Sequence, residues 1–340
     1  MTKKYTITDV AQDLGVSCST VSRALSDSSG VSEKVKQRIV EYAREIGYEP
    51  NSKMHQKENG SRAVALIIGD IRNPFYGELA YYIQRELNKN GYMMMLCNTE
   101  YSVDRELEVV GSLEKMGFAG AILMTAQVEK INEELERVRI PVVLVNRNLS
   151  SFQGDMVLLD NFKAGYVATM HLIEQAHRTI GFVKGHTSSS ASRQRYEGYC
   201  QAMSNYGLVT REQDIYYSDM KIEAGEKIAR QFLQNGNRPT GMVIVNDVTA
   251  LGFVSTCIGM GVRVPEELSV VSFDNTKFAQ WGMVPLTSVD QNTEKMGEQT
   301  VSILLKRIRN YQREAERVIL SPELVVRSST ARYVRNRDER

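Results

Sequence analysis

From residue 63 to about 290, short apolar runs alternate with longer amphipathic stretches, and few folds accommodate that order. The runs are Ala63–Ile68, Tyr92–Cys97, Ala119–Met124, Val142–Val145, Met156–Leu159, Thr179–Val183, Gly241–Val245 and Leu268–Phe273. Each has the length of a strand and is apolar on both faces, as a strand buried in a parallel sheet must be. Between most of them lie the stretches 76–90, 103–116, 129–138, 162–176, 191–206, 222–234 and 247–260, with the spacing of amphipathic helices. Alternation of this kind implies parallel sheets covered by helices on both faces. One sheet of nine or more strands is less usual than two smaller ones. The reading is therefore an α/β core, 63–340, of two doubly wound parallel-sheet lobes. Lobe 1 is expected at about 63–160 and 291–320, and lobe 2 at about 161–290 and 321–332. A helix near 293–309 and strands near 316–327 close the chain.

The first fifty residues follow another pattern. Thr6-Ile7-Thr8-Asp9 has the form of a capping box, and Val10, Ala11 and Leu14 then share one helical face. Gly15 interrupts as a left-handed turn residue would, and Ser17 is a second N-cap. A second helix runs from about Cys18 to Leu25, with Val21, Ala24 and Leu25 inward and Cys18, Ser19, Ser22 and Arg23 outward. A third runs from near Ser32 to Ile46, ended by Gly47 and barred from continuing by Pro50. Three short helices, the first two joined by a tight glycine turn, describe an all-α helix-turn-helix headpiece over residues 1–50. The small, polar outer face of the second helix allows its backbone close to base edges, and Arg23 can reach a guanine or a phosphate.

Composition excludes more than it selects. Hydrophobic residues are 42% and charged residues 24% of 340, the balance of an ordinary globular chain of more than one domain. No apolar run reaches the eighteen or so residues of a membrane span. The opening MTKKYTITDV lacks the apolar stretch of a secretory signal, so the expected location is the cytoplasm. Four scattered cysteines (Cys18, Cys97, Cys200, Cys257) without a CxxC, and four histidines without ligand spacing, predict mostly buried thiols, no disulfide, no metal and no cofactor. Net charge is +1; residues 1–62 carry 10 Lys+Arg against 8 Asp+Glu, too slight an excess to argue for nucleic acid.

Open parallel sheets bind ligands beyond the carboxyl ends of their strands. The residues just after the runs are polar: Asp70 to Phe75, Asn98, Asn146-Arg147, Asp160-Asn161, Gly185-His186-Thr187, Asn246-Asp247 and Asp274-Asn275. Two facing lobes make these one cleft. Carboxylates and amides pair with adjacent hydroxyls, a guanidinium donates in a planar fork, and an aromatic ring covers C–H surface, which suits a polyhydroxylated ligand. Taken singly, many such Asp and Asn residues do no more than cap the following helix.

Two sets of residues carry a family resemblance. DVAQDLGVSCSTVSRALSD, followed by VSEKVKQRIVEYAREIGYEPN, resembles the DNA-binding headpiece of the lactose repressor/galactose repressor family of bacterial transcription regulators. DIRNPFYGEL, DNFKAG, RQRYEGY, NDVTALG, LSVVSFDNT and PLTSVDQ resemble the effector-binding core of the same regulators, which is similar to periplasmic sugar-binding proteins. The resemblance implies base reading by Cys18 and Ser19, and backbone contacts by Thr20, Ser22 and Asn51. With Thr6, Ser17, Arg23 and Met54 these form the expected DNA-binding set. In that family the segment matching 51–62 is a hinge that folds on DNA and wedges paired leucines into the minor groove; in this chain Met54 could take the leucine's part, the hinge could bind by charge alone, or the segment could be a plain flexible linker. Here Lys57 stands near the leucine position, Met54 at a usual alanine and His55 at a usual arginine. For the effector, the resemblance implies Asp160, Arg195, Asn246 and Asp274, then Phe75, Gln291 and Arg193. Met220 stands where some sugar-responsive members carry an aromatic.

No Walker A loop, GxSxG or strand-to-helix GxGxxG is found, and the serine run 188–190 near His186 reads as a loop. The expectation is a regulator, not an enzyme: a repressor that a small sugar releases from a pseudo-palindromic double-stranded operator. The alternatives are a corepressor-type regulator whose ligand, such as a purine, tightens DNA binding, and a sugar-processing enzyme with an accessory DNA-binding domain. The C-terminal VVRSSTARYVRNRDER has no leucine heptad of the kind the family's tetramers carry, so a homodimer is expected, with no membrane partner.

Overall fold

The computed structural model describes residues 5–25, 31–46, 48, 62–125, 130–149 and 151–334. Asn51, Met54, His55 and Lys57 lie outside the described residues, and with them nearly all of the expected hinge. The chain divides into two compact units, Met1–Ser61 and Arg62–Arg340.

The smaller unit is built from three helices: α1 (Ile7–Leu14), α2 (Cys18–Leu25) and α3 (Glu33–Glu45). The capping box at its start is complete. The Asp9 amide donates to the Thr6 hydroxyl at 3.3 Å, and the Thr6 amide donates to the Asp9 carboxylate at 2.7 Å. Gly15 takes a left-handed φ of 67°, so that its own amide and that of Val16 reach back to the Gln12 and Ala11 carbonyls. Ser17 then opens α2, accepting from the Thr20 amide at 3.1 Å. Val10, Ala11, Val21, Ala24 and Ile39 form the core, and the Tyr42 hydroxyl ties α3 to Asp13 at 2.8 Å.

A unit with so few buried side chains is marginally stable. Ile39 is its largest fully buried side chain. Ile39→Ala should remove about 2–5 kcal/mol, enough to unfold this unit alone. Calorimetry of the full chain should then lose the headpiece's contribution while the core's transition stays in place.

The larger unit contains two six-stranded sheets. Its elements run β1 (Ala63–Ile68), α4 (Pro74–Lys89), β2 (Met93–Asn98), α5 (Val103–Ser112), β3 (Gly120–Leu123), α6 (Lys130–Arg137), β4 (Val142–Val145) and β5 (Asp155–Leu159). Then follow α7 (Asn161–Glu174), β6 (Ile180–Lys184), α8 (Ser190–Asn205), β7 (Ile215–Tyr217), α9 (Ile222–Gln234), β8 (Gly241–Ile244) and α10 (Asp247–Gly259). The unit ends with β9 (Ser269–Asp274), α11 (Lys277–Trp281), β10 (Thr287–Asp290), α12 (Thr293–Arg309), β11 (Arg317–Leu320) and β12 (Glu323–Val325). Strand order is β11-β5-β4-β3-β1-β2 in the first sheet, all parallel. It is β12-β10-β9-β8-β6-β7 in the second, parallel except for β12 against β10. The chain passes between lobes after β5, after β10 and between β11 and β12. Only two residues separate β11 from β12, too few for a helical crossover, and β12 enters its sheet antiparallel.

Two strands had no clear signal in the sequence. β7 has three residues at a sheet edge. β10 reads Thr-Ser-Val-Asp, yet Thr287 and Ser288 are fully buried, their hydroxyls bonded to Thr330 at 2.9 Å and to Asp247 at 2.8 Å. Satisfied hydroxyls can occupy core positions, and they conceal the apolar pattern. The cysteines also depart from expectation: all four are free, but only Cys257 is buried. Cys97 lies on the edge strand β2, Cys200 is half-buried on α8, and Cys18 faces solvent on α2.

Candidate functional site

A cleft opens between the carboxyl ends of the two sheets, where open parallel sheets hold their ligands. The first lobe contributes Asn73, Phe75 and Tyr76 at the start of α4, Tyr101 after β2, and Asn146 with Arg147 after β4. The second contributes His186 after β6, Arg195 on α8, Met220 after β7 and Asp274 at the end of β9. Gln291 comes from the crossing that follows β10.

A hydrogen-bond circuit runs through the cleft wall and joins both lobes. Arg195 Nε donates to Asn161 Oδ1 at 2.9 Å, and Asn161 Nδ2 donates to Asn146 Oδ1 at 2.8 Å. Asn146 Nδ2 donates to Gln291 Oε1 at 2.5 Å, and Gln291 Nε2 donates to Asp274 Oδ1. Asp274 Oδ1 closes the circuit 4.0 Å from Arg195 Nη1, an ion pair without direct contact. Arg195 also donates to the Val245 carbonyl at 2.8 Å and lies 4.4 Å from the centre of the Phe273 ring. Burial lowers its pKa to about 10, against the pull of Asp274. Arg195 therefore stays charged at neutral pH. Burial, reinforced by the charge of Asp247, raises Asp274 well above the usual carboxylate range despite Arg195.

Backbone strain concentrates here. Tyr101 (φ 57°), Asn146 (φ 52°), Met220 (φ 71°) and Asp274 (φ 106°) are non-glycine residues in left-handed conformations, and all four line the cleft. Such residues persist only where the surroundings over-determine them, and they cluster at binding sites.

Of the expected effector residues, the cleft brings together Phe75, Arg195, Met220, Asp274 and Gln291. Three others stand outside its lining. Asp160 caps α7, accepting from the Lys163 amide at 2.9 Å. Asn246 is fully buried and caps α10 through the Thr249 amide at 3.1 Å, while its Nδ2 donates to the Met220 carbonyl at 3.2 Å. It shapes the wall from behind. Arg193 is exposed on α8. Helix capping accounts for the first two, since carboxylates and amides after strands serve both roles. Asn146, Arg147 and His186 belonged to the polar set after strands but were not singled out. Tyr101 gave no signal, because its entry into the cleft depends on the left-handed pair Glu100-Tyr101.

In the smaller unit, Ser17, Cys18, Ser19 and Arg23 are exposed on or just before α2, with Thr20 and Ser22 half-buried. The Ser17 hydroxyl lies 2.7 Å from that of Ser19 and 2.8 Å from that of Thr20. Thr6 is engaged in its capping box.

Arg195 reaches the cleft because α7 and α8 touch backbone to backbone. A Cβ on Gly165 would overlap the Arg195 carbonyl oxygen, and one on Gly198 would overlap that of Phe162. Gly165→Ala must push α8 away, at a cost of about 1–3 kcal/mol for overpacking. A lower melting temperature and a weaker ligand-induced shift should appear together. A normal ligand shift in a destabilised protein would detach the helix contact from the site.

The family described as bacterial regulatory proteins, lacI family, matches residues 6–51, and a periplasmic binding protein-like domain matches residues 169–330. Along 96% of its length the chain is 32% identical to the HTH-type transcriptional regulator DegA of Bacillus subtilis (strain 168), covering 98% of that protein. A solved complex of the transcriptional regulator CelR with cellobiose is similar at 28% identity and a TM-score of 0.74, over 96% of this chain and all of that one. The lac repressor dimer bound to operator and the anti-inducer ONPF aligns with a TM-score of 0.78 over 97% of this chain and all of that one. At 23% identity, that last likeness speaks for the fold alone.

Proposed function

Since the chain belongs to the lacI family of bacterial regulatory proteins and is a DNA-binding transcriptional regulator rather than an enzyme, we propose that it is a repressor released from its operator by a small polyhydroxylated effector bound in the cleft. The observation that carries this is the polar circuit around Arg195 and Asp274, four of whose five members line the cleft and two of which stand at lobe crossings. Arg195, Asp274, Gln291 and Asn146 offer donors and acceptors to adjacent hydroxyls, and Phe75 and Tyr101 offer ring faces to C–H surface. The serines after β6 have structural partners: Ser189 caps α8, and Ser190 accepts from the Asn148 amide at 3.0 Å.

Operator recognition falls to α2 of residues 1–50, with Cys18 and Ser19 at base edges and Ser17, Thr20, Ser22 and Arg23 around them. Residues 51–62 act as the hinge. The protein works as a dimer on two half-sites in the cytoplasm, where its operator lies. None of its described helices is long and apolar enough to cross a membrane. The dimer faces are the open edge strand β2, where Met93 and Met95 are 70% and 49% exposed, and the apolar surface of Phe278, Trp281 and Met283. A stable tetramer in sedimentation would refute the dimer.

Effector and operator must favour different arrangements of the lobes, because only differential affinity couples two sites. Thermal shift against sugars, sugar phosphates and purines identifies the effector. A ligand at a hundred times its dissociation constant stabilises by about 2.7 kcal/mol. Operator affinity measured with that ligand should fall; a rise would mean corepression. Arg23→Ala should abolish operator binding and leave the ligand shift intact, and unchanged operator affinity would remove α2 from the interface. Asp274→Ala should keep operator binding and lose the response to effector.

A further inference from the structure

A second chamber lies at the mouth between the lobes, beside the inner cleft. Asn73, Tyr101 and Met220 line both and form the neck between them. Two neck residues are held rigidly. Tyr101, in its left-handed turn, lies across Gly69, where a Cβ would overlap its ring, and its ring is 4.5 Å from that of His186 in the other lobe. The Tyr101 amide donates to the Gly69 carbonyl at 3.2 Å, and its hydroxyl donates to Tyr76 at 3.3 Å. Met220, also left-handed, donates its amide to the Ser218 hydroxyl at 2.9 Å and accepts from Asn246 through its carbonyl. Left-handed residues on both sides of the boundary between the two spaces are of the kind that cluster at binding sites.

The outer chamber has a different chemistry. Asp70 and Arg72 of the first lobe pair at 2.7 Å, and Asp219 and Lys221 of the second pair at 3.3 Å. Glu223 lines the same space without an ion-pair partner among the described residues. Each of these two ion pairs stays within its own lobe. Three carboxylates face two cations there, and Arg72 holds Asp70 below the usual carboxylate range, so it remains an anion. Such a chamber offers acceptors and donors to hydroxyls and repels a further anion.

We propose that the effector has two hydroxylated rings, the first in the inner cleft and the second in the outer chamber, with the outer ring uncharged or cationic and not phosphorylated. This rests on the reading of the inner cleft as a polyhydroxyl site. Asp219 and Lys221 hold the outer ring, and Tyr101 and Met220 grip the linkage between rings.

Isothermal titration of the full chain with three matched pairs tests this: glucose and cellobiose, galactose and lactose, xylose and xylobiose. Glucose 6-phosphate serves as the anionic probe. In the pair that binds, the disaccharide should be at least tenfold tighter than its monosaccharide. The double substitution Asp219→Ala, Lys221→Ala should bring the disaccharide to the monosaccharide's affinity and leave the monosaccharide unchanged. Lys221→Ala alone, at an exposed position, should give part of that loss. Equal affinity within the pair, an unaffected disaccharide in the double variant, or tighter binding of the phosphate would overturn the proposal and spare the inner-cleft reading. Failure of all six sugars to bind would overturn that reading and this proposal with it.

Discussion

A buried guanidinium is the constraint around which the core is arranged. Arg195 is charged and almost wholly removed from water, a costly state unless its donors are matched and its charge answered. The answer is distributed. An amide side chain, a backbone carbonyl, an aromatic face and a carboxylate at 4.0 Å each take a share. No single partner neutralises it, which leaves the site able to exchange part of its interaction for a ligand's. The contact between α7 and α8 that carries Arg195 into place requires glycine on both helices, so backbone packing fixes a polar group of the cleft wall.

The circuit also explains how occupancy can move the lobes. Asn161 and Gln291 stand at two of the chain's crossings, and Asn146 ends a strand of the first lobe. A rotation of one lobe stretches bonds that Arg195 and Asp274 anchor in the other. In a low-dielectric interior such a network is strong when complete and costly when partly broken, so it favours discrete arrangements over gradual ones. A ligand that completes one arrangement better than the other shifts the balance by the difference. Asp247 supplies a fixed floor beneath this moving wall. Its carboxylate accepts from Ser272, Ser288 and both the amide and hydroxyl of Thr276.

Much of this was legible from residue order. Strands apolar on both faces and helices with one apolar stripe announced the two lobes, and the capping box and Gly15 announced the headpiece, because those signals are local. The lining of the cleft was legible only in part. Asp274 and Arg195 sit where their motifs place them, yet Asp160 and Asn246 belong to motifs as regular and use their side chains to cap helices. The same residue types after the same strands serve two purposes, and only geometry separates them. Tyr101 and β10 were hidden for opposite reasons. Tyr101 needs a left-handed backbone that no local pattern reports, and β10 buries hydroxyls whose partners Thr330 and Asp247 lie 43 and 41 residues away along the chain.

The headpiece is stable enough to fold and too small to be robust. Six buried apolar residues among those described and a few caps hold three short helices, whereas the lobes are held by three larger clusters of aliphatic and aromatic side chains, one of which runs through both. A reader of DNA built this way gains from being paired, because two weak contacts held together bind far more tightly than either alone. That gain depends on the separation of the two copies. A more stable, tighter-binding headpiece would hold its operator whatever the core did. A headpiece of modest core therefore suits a regulator whose hold on DNA has to be reversible.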